Sequence, residues 1–101
     1  MLSAYTALVR CQRILEQASS LTGISAAELT GNRKTPEVVD VRHAAALAMS
    51  EAGAHMSLIG RVMGGRDHST VRASIEVAQG YQKREAEYAA LIGSLVASAS
   101  A

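Results

Sequence analysis

The sequence predicts an all-α fold: a compact helical domain of about five to six helices that contains a helix-turn-helix. Three observations carry that expectation. Apolar types make up 49 % of the 101 residues but aromatics only 3 %, with neither Trp nor Phe. The core must then be built from Ala, Leu, Val, Ile and Met, a palette that favours packed helices. Apolar residues recur at spacings of three and four along nearly the whole chain, and no β-alternating run interrupts them. Short stretches containing Gly, Ser, Thr or Pro separate the periodic segments, as helix-to-helix turns require.

Each element has its own justification. From Tyr5 to Leu21, the residues Leu8, Cys11, Leu15 and Ala18 share one helical face, with Arg10, Arg13 and Glu16 elsewhere, and Gly23 is the expected C-cap. Ser25 followed by Glu28 is a capping-box pattern for a short helix in SAAEL, stopped by Gly31 and Asn32. Thr35 is expected to cap the next helix with its hydroxyl, and Pro36 suits the first helical position because its missing N–H is not needed there. That helix should run from Pro36 to about Ala52 on the apolar line Val38, Val41, Ala45, Ala48, Met49 and Ala52, with Gly53 closing it. Ser57 should start a helix of about two turns, SLIGRVM, which Gly64 and Gly65 end. A further helix is expected from near Asp67 to Gly80, and a last one from roughly Gln82 to Val96, with Tyr88, Leu91, Ile92, Leu95 and Val96 on one stripe. Residues 1–101 read as a single domain without repeat or linker, and the tail 98–101 is expected to fray.

Composition excludes several functions. A single cysteine, Cys11, allows no internal disulfide and no cysteine-based metal site, and its position reads as a buried helix residue. The start MLSAYTALVRCQR lacks a basic leader, and Arg10 and Arg13 interrupt its apolar residues, so neither a signal peptide nor a membrane span is expected. The reading is a soluble protein of the cytoplasm. Formal net charge is only +1, which gives little general attraction to nucleic acid. Locally, however, residues 61–72 carry Arg61, Arg66 and Arg72 against Asp67 alone, so the weak total conceals a basic edge.

That edge lies in GGRDHSTV, Gly64 to Val71, where two glycines precede five polar residues. Long helix, short helix, glycine turn and helix is the order of a helix-turn-helix. In that unit the second helix enters the major groove N-terminus first, so Asp67, His68, Ser69 and Thr70 would face base edges and must be donors and acceptors. Val71 is then the first residue of the helix expected to face the core. Free N–H groups near Ser57 and Asp67 suit phosphate oxygens. Ordinary structural roles compete with these: Asp67 as an N-cap, His68 as a capping or surface residue, Ser69 and Thr70 as first-turn residues, Arg66 and Arg72 as solvated charges. An Asp-His-Ser catalytic triad is dismissed, because consecutive helix residues project about 100° apart. His43, His55 and His68 have no helical i, i+4 pairing and no Cys pair beside them, so no metal site is expected. No catalysis and no cofactor are expected either.

MSLIGRVMGGRDHSTVRAS resembles the signature of the C-terminal DNA-binding domain of DnaA, the bacterial chromosomal replication initiator, whose members typically read GGRDHTTV at this site. ILEQASSLTGISAAELTGNRK and VVDVRHAAALA resemble the family's first helices and its long helix, so the likeness spans about Leu8 to Val96. The resemblance implies double-stranded DNA as partner. It implies base reading by Asp67, His68, Ser69 and Thr70, with Ser69 where the family has threonine, and backbone contacts from Arg33 and Lys34 in a basic loop and from Arg42 and His43. Basic residues often seen further along the recognition helix are replaced by Glu76 and Val77. No GxxxxGK[ST] loop is present, so neither nucleotide binding nor strand opening is implied.

The expected function is sequence-specific DNA binding by a free-standing reading head at the nucleoid, regulating replication or transcription, with a phage or mobile-element origin inferred from its stand-alone form. Phosphate contacts from Arg33, Lys34, Arg42, Arg66 and Arg72 imply a log–log salt slope of about −3 to −5. The rival is a protein-interaction module with decayed DNA contacts, using its surface or the last helix's stripe to bind a partner protein or a second copy of itself.

Overall fold

The computed structural model describes residues 3–100 and contains six helices among them: α1 (Ala4–Thr22), α2 (Ala26–Thr30), α3 (Pro36–Glu51), α4 (Met56–Val62), α5 (His68–Arg84) and α6 (Ala86–Ala99). No strand occurs among the described residues, as an all-α class requires.

Local sequence sets most of the boundaries. The Ser3 hydroxyl accepts from the Thr6 N–H and opens α1, while Gly23, at φ 76°, closes it. Both halves of the capping box form at α2: the Ser25 hydroxyl accepts from the Glu28 N–H, and the Glu28 carboxylate accepts from the Ser25 N–H. Thr35 holds the N-cap of α3 but makes no side-chain cap bond, contrary to expectation. Pro36, whose ring pre-sets a helical φ, starts that helix without it.

α3 is the axis of the fold and packs against all five other helices. Every residue on its anticipated line, from Val38 to Ala52, is buried, and so are Ala44, Ala46 and Leu47 on its other faces. Its small side chains let neighbours approach from several directions at once. Around it Ile14, Leu29, Ile59, Met63 and Leu95 have essentially no exposed surface. Cys11 is buried among them, which pushes its thiol up to about 11 and leaves it unreactive as a thiolate. No described helix is long and apolar enough to cross a membrane.

The C-terminal third differs from the sequence expectation in two ways. Gly80 does not end a helix: α5 continues to Arg84 and the break falls at Glu85. A single helical glycine costs about 1 kcal/mol relative to alanine. Contacts beyond it act against that cost: Tyr81 meets Tyr88 edge-to-face at 5.6 Å, and the Arg84 guanidinium lies 5.4 Å from the Tyr81 ring centre. The segment expected to fray is also helical as far as Ala99. Ala99 is buried and its carbonyl accepts from Arg13 Nη1 at 3.3 Å, which ties the end of α6 to α1. Residue 101, the last of that segment, lies outside the described residues. The α6 stripe faces the core: Ile92 and Leu95 are buried, Tyr88, Leu91 and Val96 pack beside them, and the Tyr88 hydroxyl donates to the Asp40 carbonyl at 2.6 Å. The stripe therefore serves core packing, with Tyr88, Leu91 and Val96 only half-buried.

Candidate nucleic-acid interface

The interface is built on a turn that the backbone closes on itself. α4 begins at Met56, one residue earlier than expected, with His55 at the N-cap and no side-chain cap bond. Ser57 is exposed in its first turn. At the other end the Gly60 carbonyl accepts from the N–H of both Gly65, at 2.8 Å, and Arg66, at 2.9 Å. This fold-back leaves no room at Gly60, where a Cβ would lie 2.1 Å from the Arg66 carbonyl oxygen. Gly64 is constrained twice over, by φ +96° and by the Thr30 carbonyl oxygen 2.0 Å from where its Cβ would be. The turn therefore presses directly on the end of α2.

α5 starts immediately after the turn. Asp67 is its N-cap: Oδ1 accepts from the Thr70 N–H and from the Ser69 hydroxyl, each at 2.9 Å. The Thr70 N–H, then the Ser69 hydroxyl, hold the Asp67 carboxyl below the usual carboxylate range, so it is ionised at neutral pH. Capping and base reading are compatible, since Oδ1 serves the cap and the group remains exposed. Asp67, His68, Ser69 and Thr70 all face solvent, and Val71 is the first buried residue of the helix, at 2 % exposure. Arg72, Ala73, Glu76 and Val77 continue the open face, while Ser74, Ile75 and Ala78 turn inward. Ala73 went unnoticed in the sequence and Val77 was marked only as replacing a basic residue, although successive steps of four from Ser69 place all three on one stripe. Arg61 on α4 is also exposed, and it lines a groove shared with α1.

The arginines divide into two groups. Arg42, expected to touch the DNA backbone, is 6 % exposed, and its Nε and Nη2 donate to the Leu29 and Glu28 carbonyls at 2.8 Å each. Burial, then the nearby Arg66 guanidinium, pull its pKa below the usual arginine range. Arg66 donates from Nη2 to the Gly31 carbonyl at 2.6 Å and from Nη1 to those of Thr30, at 3.3 Å, and Met63. Two guanidinium groups thus donate to four successive carbonyls, Glu28 to Gly31, at the end of a helix of five residues, where Glu28 also accepts from the Gly31 N–H at 3.4 Å. The position of Arg42 does not fit a phosphate contact, and Arg66, half-buried, is held in the same inward way.

His43 is half-buried, and its Nδ1 has no hydrogen-bond partner among the described residues. Burial lowers its pKa; Arg42 and Arg66 add to the effect and Asp40 opposes it. The ring is neutral at pH 7 and brings no charge to a phosphate. Arg33, Lys34 and Arg72 are exposed. Arg33 Nε lies 3.7 Å from Glu28 Oε2, an open pair weak enough to be exchanged for a phosphate. Among the described residues no group of three His, Cys, Asp or Glu side chains is placed to hold a metal ion.

A short helix, a glycine turn and a second helix with an open polar N-terminus define a helix-turn-helix domain, a nucleic-acid-binding class. Residues 11–77 match the family described as "Bacterial dnaA protein helix-turn-helix", and the chain belongs to that family. It is a DNA-binding family, not a catalytic one. The match runs from within α1, through the glycine turn, to the exposed Val77. No curated protein and no solved structure matches the chain.

Proposed function

We propose that this protein binds double-stranded DNA sequence-specifically by laying the start of α5 in the major groove, and that it regulates replication or transcription without ATP hydrolysis. One observation carries the reading: Asp67, His68, Ser69 and Thr70 are all exposed at the open end of a helix whose next residue, Val71, anchors it in the core. Side chains left free of packing there can serve base edges, with Ala73 and Val77 offering apolar contact to thymine methyl groups. Phosphate contacts fall to Arg33, Lys34, Arg61 and Arg72, with open N–H groups near Ser57 assisting. With Arg42 and Arg66 directed inward, the salt slope becomes shallower than five contacts would give, about −3 to −4. Bound in this way, the domain would occupy sites and act by competition or recruitment.

A second reading has its own observation. An open groove of about 1100 Å³ lies between α1 and α4, with Tyr5, Leu8, Leu58, Val62 and Arg61 among its lining, and Tyr5 is 74 % exposed. A protein partner seated there would make the domain an interaction module. Duplexes selected from a random pool, then titrated by gel shift against scrambled controls, separate the two. The DNA reading expects a preference of roughly a hundredfold or more for the selected duplex, lost progressively with salt. Failure to bind any selected duplex would favour the interaction module.

A further inference from the structure

The residue immediately before the recognition positions is attached to a different part of the molecule. Arg66 follows the two turn glycines and precedes the Asp67 cap, so its backbone belongs to the recognition unit. Its guanidinium, however, holds the Thr30 and Gly31 carbonyls, which begin the connection carrying Arg33 and Lys34. Gly64 touches the same place independently, since only the absence of a Cβ lets the turn approach the Thr30 carbonyl. We infer that Arg66 is a positioning residue that locks the Arg33–Lys34 loop to the recognition helix, so that base-reading and phosphate-binding elements meet DNA as one rigid body. This rests on the DNA-binding reading above and specifies how that interface is kept in register.

The chemistry is particular to arginine. A planar guanidinium offers several N–H donors in a fixed fork and can serve the Thr30, Gly31 and Met63 carbonyls together. A lysine ammonium at the same position keeps the charge but is a compact head on a flexible stem, poorly matched to three separated acceptors. Were Arg66 simply another cation for the phosphate backbone, lysine would replace it with little loss. Were it a tie, lysine would leave the first residues of the loop free to move, and Lys34 would no longer be held for its phosphate.

A double-mutant cycle tests this. Wild type, Arg66→Lys, Lys34→Ala and the double variant are titrated on the selected duplex at several salt concentrations, each well below its own melting temperature. In the wild type, Lys34→Ala is expected to weaken binding by about fivefold and to reduce the salt slope by about 0.9. In the Arg66→Lys background the same change should weaken binding less than twofold and leave the slope unaltered, because the contact has already been lost. Equal factors in both backgrounds would overturn the inference, as would Arg66→Lys binding like wild type. If Arg66→Lys does not fold, the wild type decides alone. Backbone order parameters of Arg33 and Lys34 in the free protein should lie near the rigid value of about 0.85, and values below about 0.6 would overturn the tie. A wild type that binds no duplex would defeat the proposed function, while the order-parameter measurement would still judge the tie.

Discussion

Two neighbouring regions use the same kinds of residue for opposite ends. At the junction of α2 with the glycine turn, Arg42 and Arg66 point into the protein and hold backbone carbonyls. At the first turn of α5, one residue further along the chain, Asp67, His68, Ser69 and Thr70 point outward. Among these only Asp67 serves a cap, with Ser69 bonded to it. The difference is set by backbone supply: a helix as short as α2 ends with open acceptors that need donors, and the arginines are the donors within reach. The start of α5 has open N–H groups instead, which a single carboxylate begins to satisfy and an anion can complete. A charge beside a DNA-reading helix is therefore a DNA contact only if the fold has no prior use for it.

The largest effect expected from that distinction is on folding. Arg42→Ala strands the Leu29 carbonyl, leaves that of Glu28 with the Gly31 N–H alone, and should cost about 2–4 kcal/mol, lowering the melting temperature by roughly 10–25 °C, while the salt slope of the folded protein stays the same. A variant that melts normally but loses about one unit of slope would return Arg42 to the phosphate backbone. On the outward side, His68→Ala or Thr70→Ala should cost roughly 1–3 kcal/mol on the selected duplex, with little change on random duplex or in stability. Equal losses on both DNAs would show that these residues do not read bases.

How much of this was legible in the sequence depended on whether the cause was local. Caps and turns were, because Ser25 with Glu28, Gly23 and the Gly64–Gly65 pair act within a few residues of themselves. The burial of Val71 followed equally from its spacing behind the turn. The position where α5 ends was not legible, because what lies past Gly80, the Tyr81–Tyr88 contact, involves a residue on the next helix. Nor was the destination of Arg42, whose acceptors lie 13 and 14 residues away at the end of another helix. The open polar row of α5 was readable as a row, while Ala73 was passed over and Val77 marked only as a missing basic residue, because polarity, not exposure, was the signal being read.

Two smaller effects sharpen the comparison. Arg72→Ala should weaken binding to every duplex alike, by about 1 kcal/mol, and reduce the salt slope by about 0.9, whereas a loss confined to the selected duplex would make Arg72 a base reader. The last effect is on pH dependence. His43 has its folded-state pKa drawn below the ordinary 6.5 by burial, with Arg42 and Arg66 adding and Asp40 opposing. Between that lowered value and about 6.5 the unfolded chain binds a proton that the folded chain does not, so stability must fall as pH drops through this window and level off above it. Asp67 and Glu28, whose pKa values are lowered from 3.8 and 4.5, add a loss only in more acidic solution. Melting temperatures at pH 7.5 and 5.5 should therefore differ, and His43→Gln should shrink the difference; an unchanged difference would assign it to other groups.

The division between inward and outward residues is tested most directly by following protein resonances as the selected duplex is added. The account predicts that the amides of residues 67–73 and of Arg33 and Lys34, together with the Arg72 Nε–H, shift on binding. The Arg42 Nε–H, already donating to the Leu29 carbonyl, should keep its position. Shifts concentrated instead along the groove between α1 and α4, with the start of α5 unmoved, would contradict it.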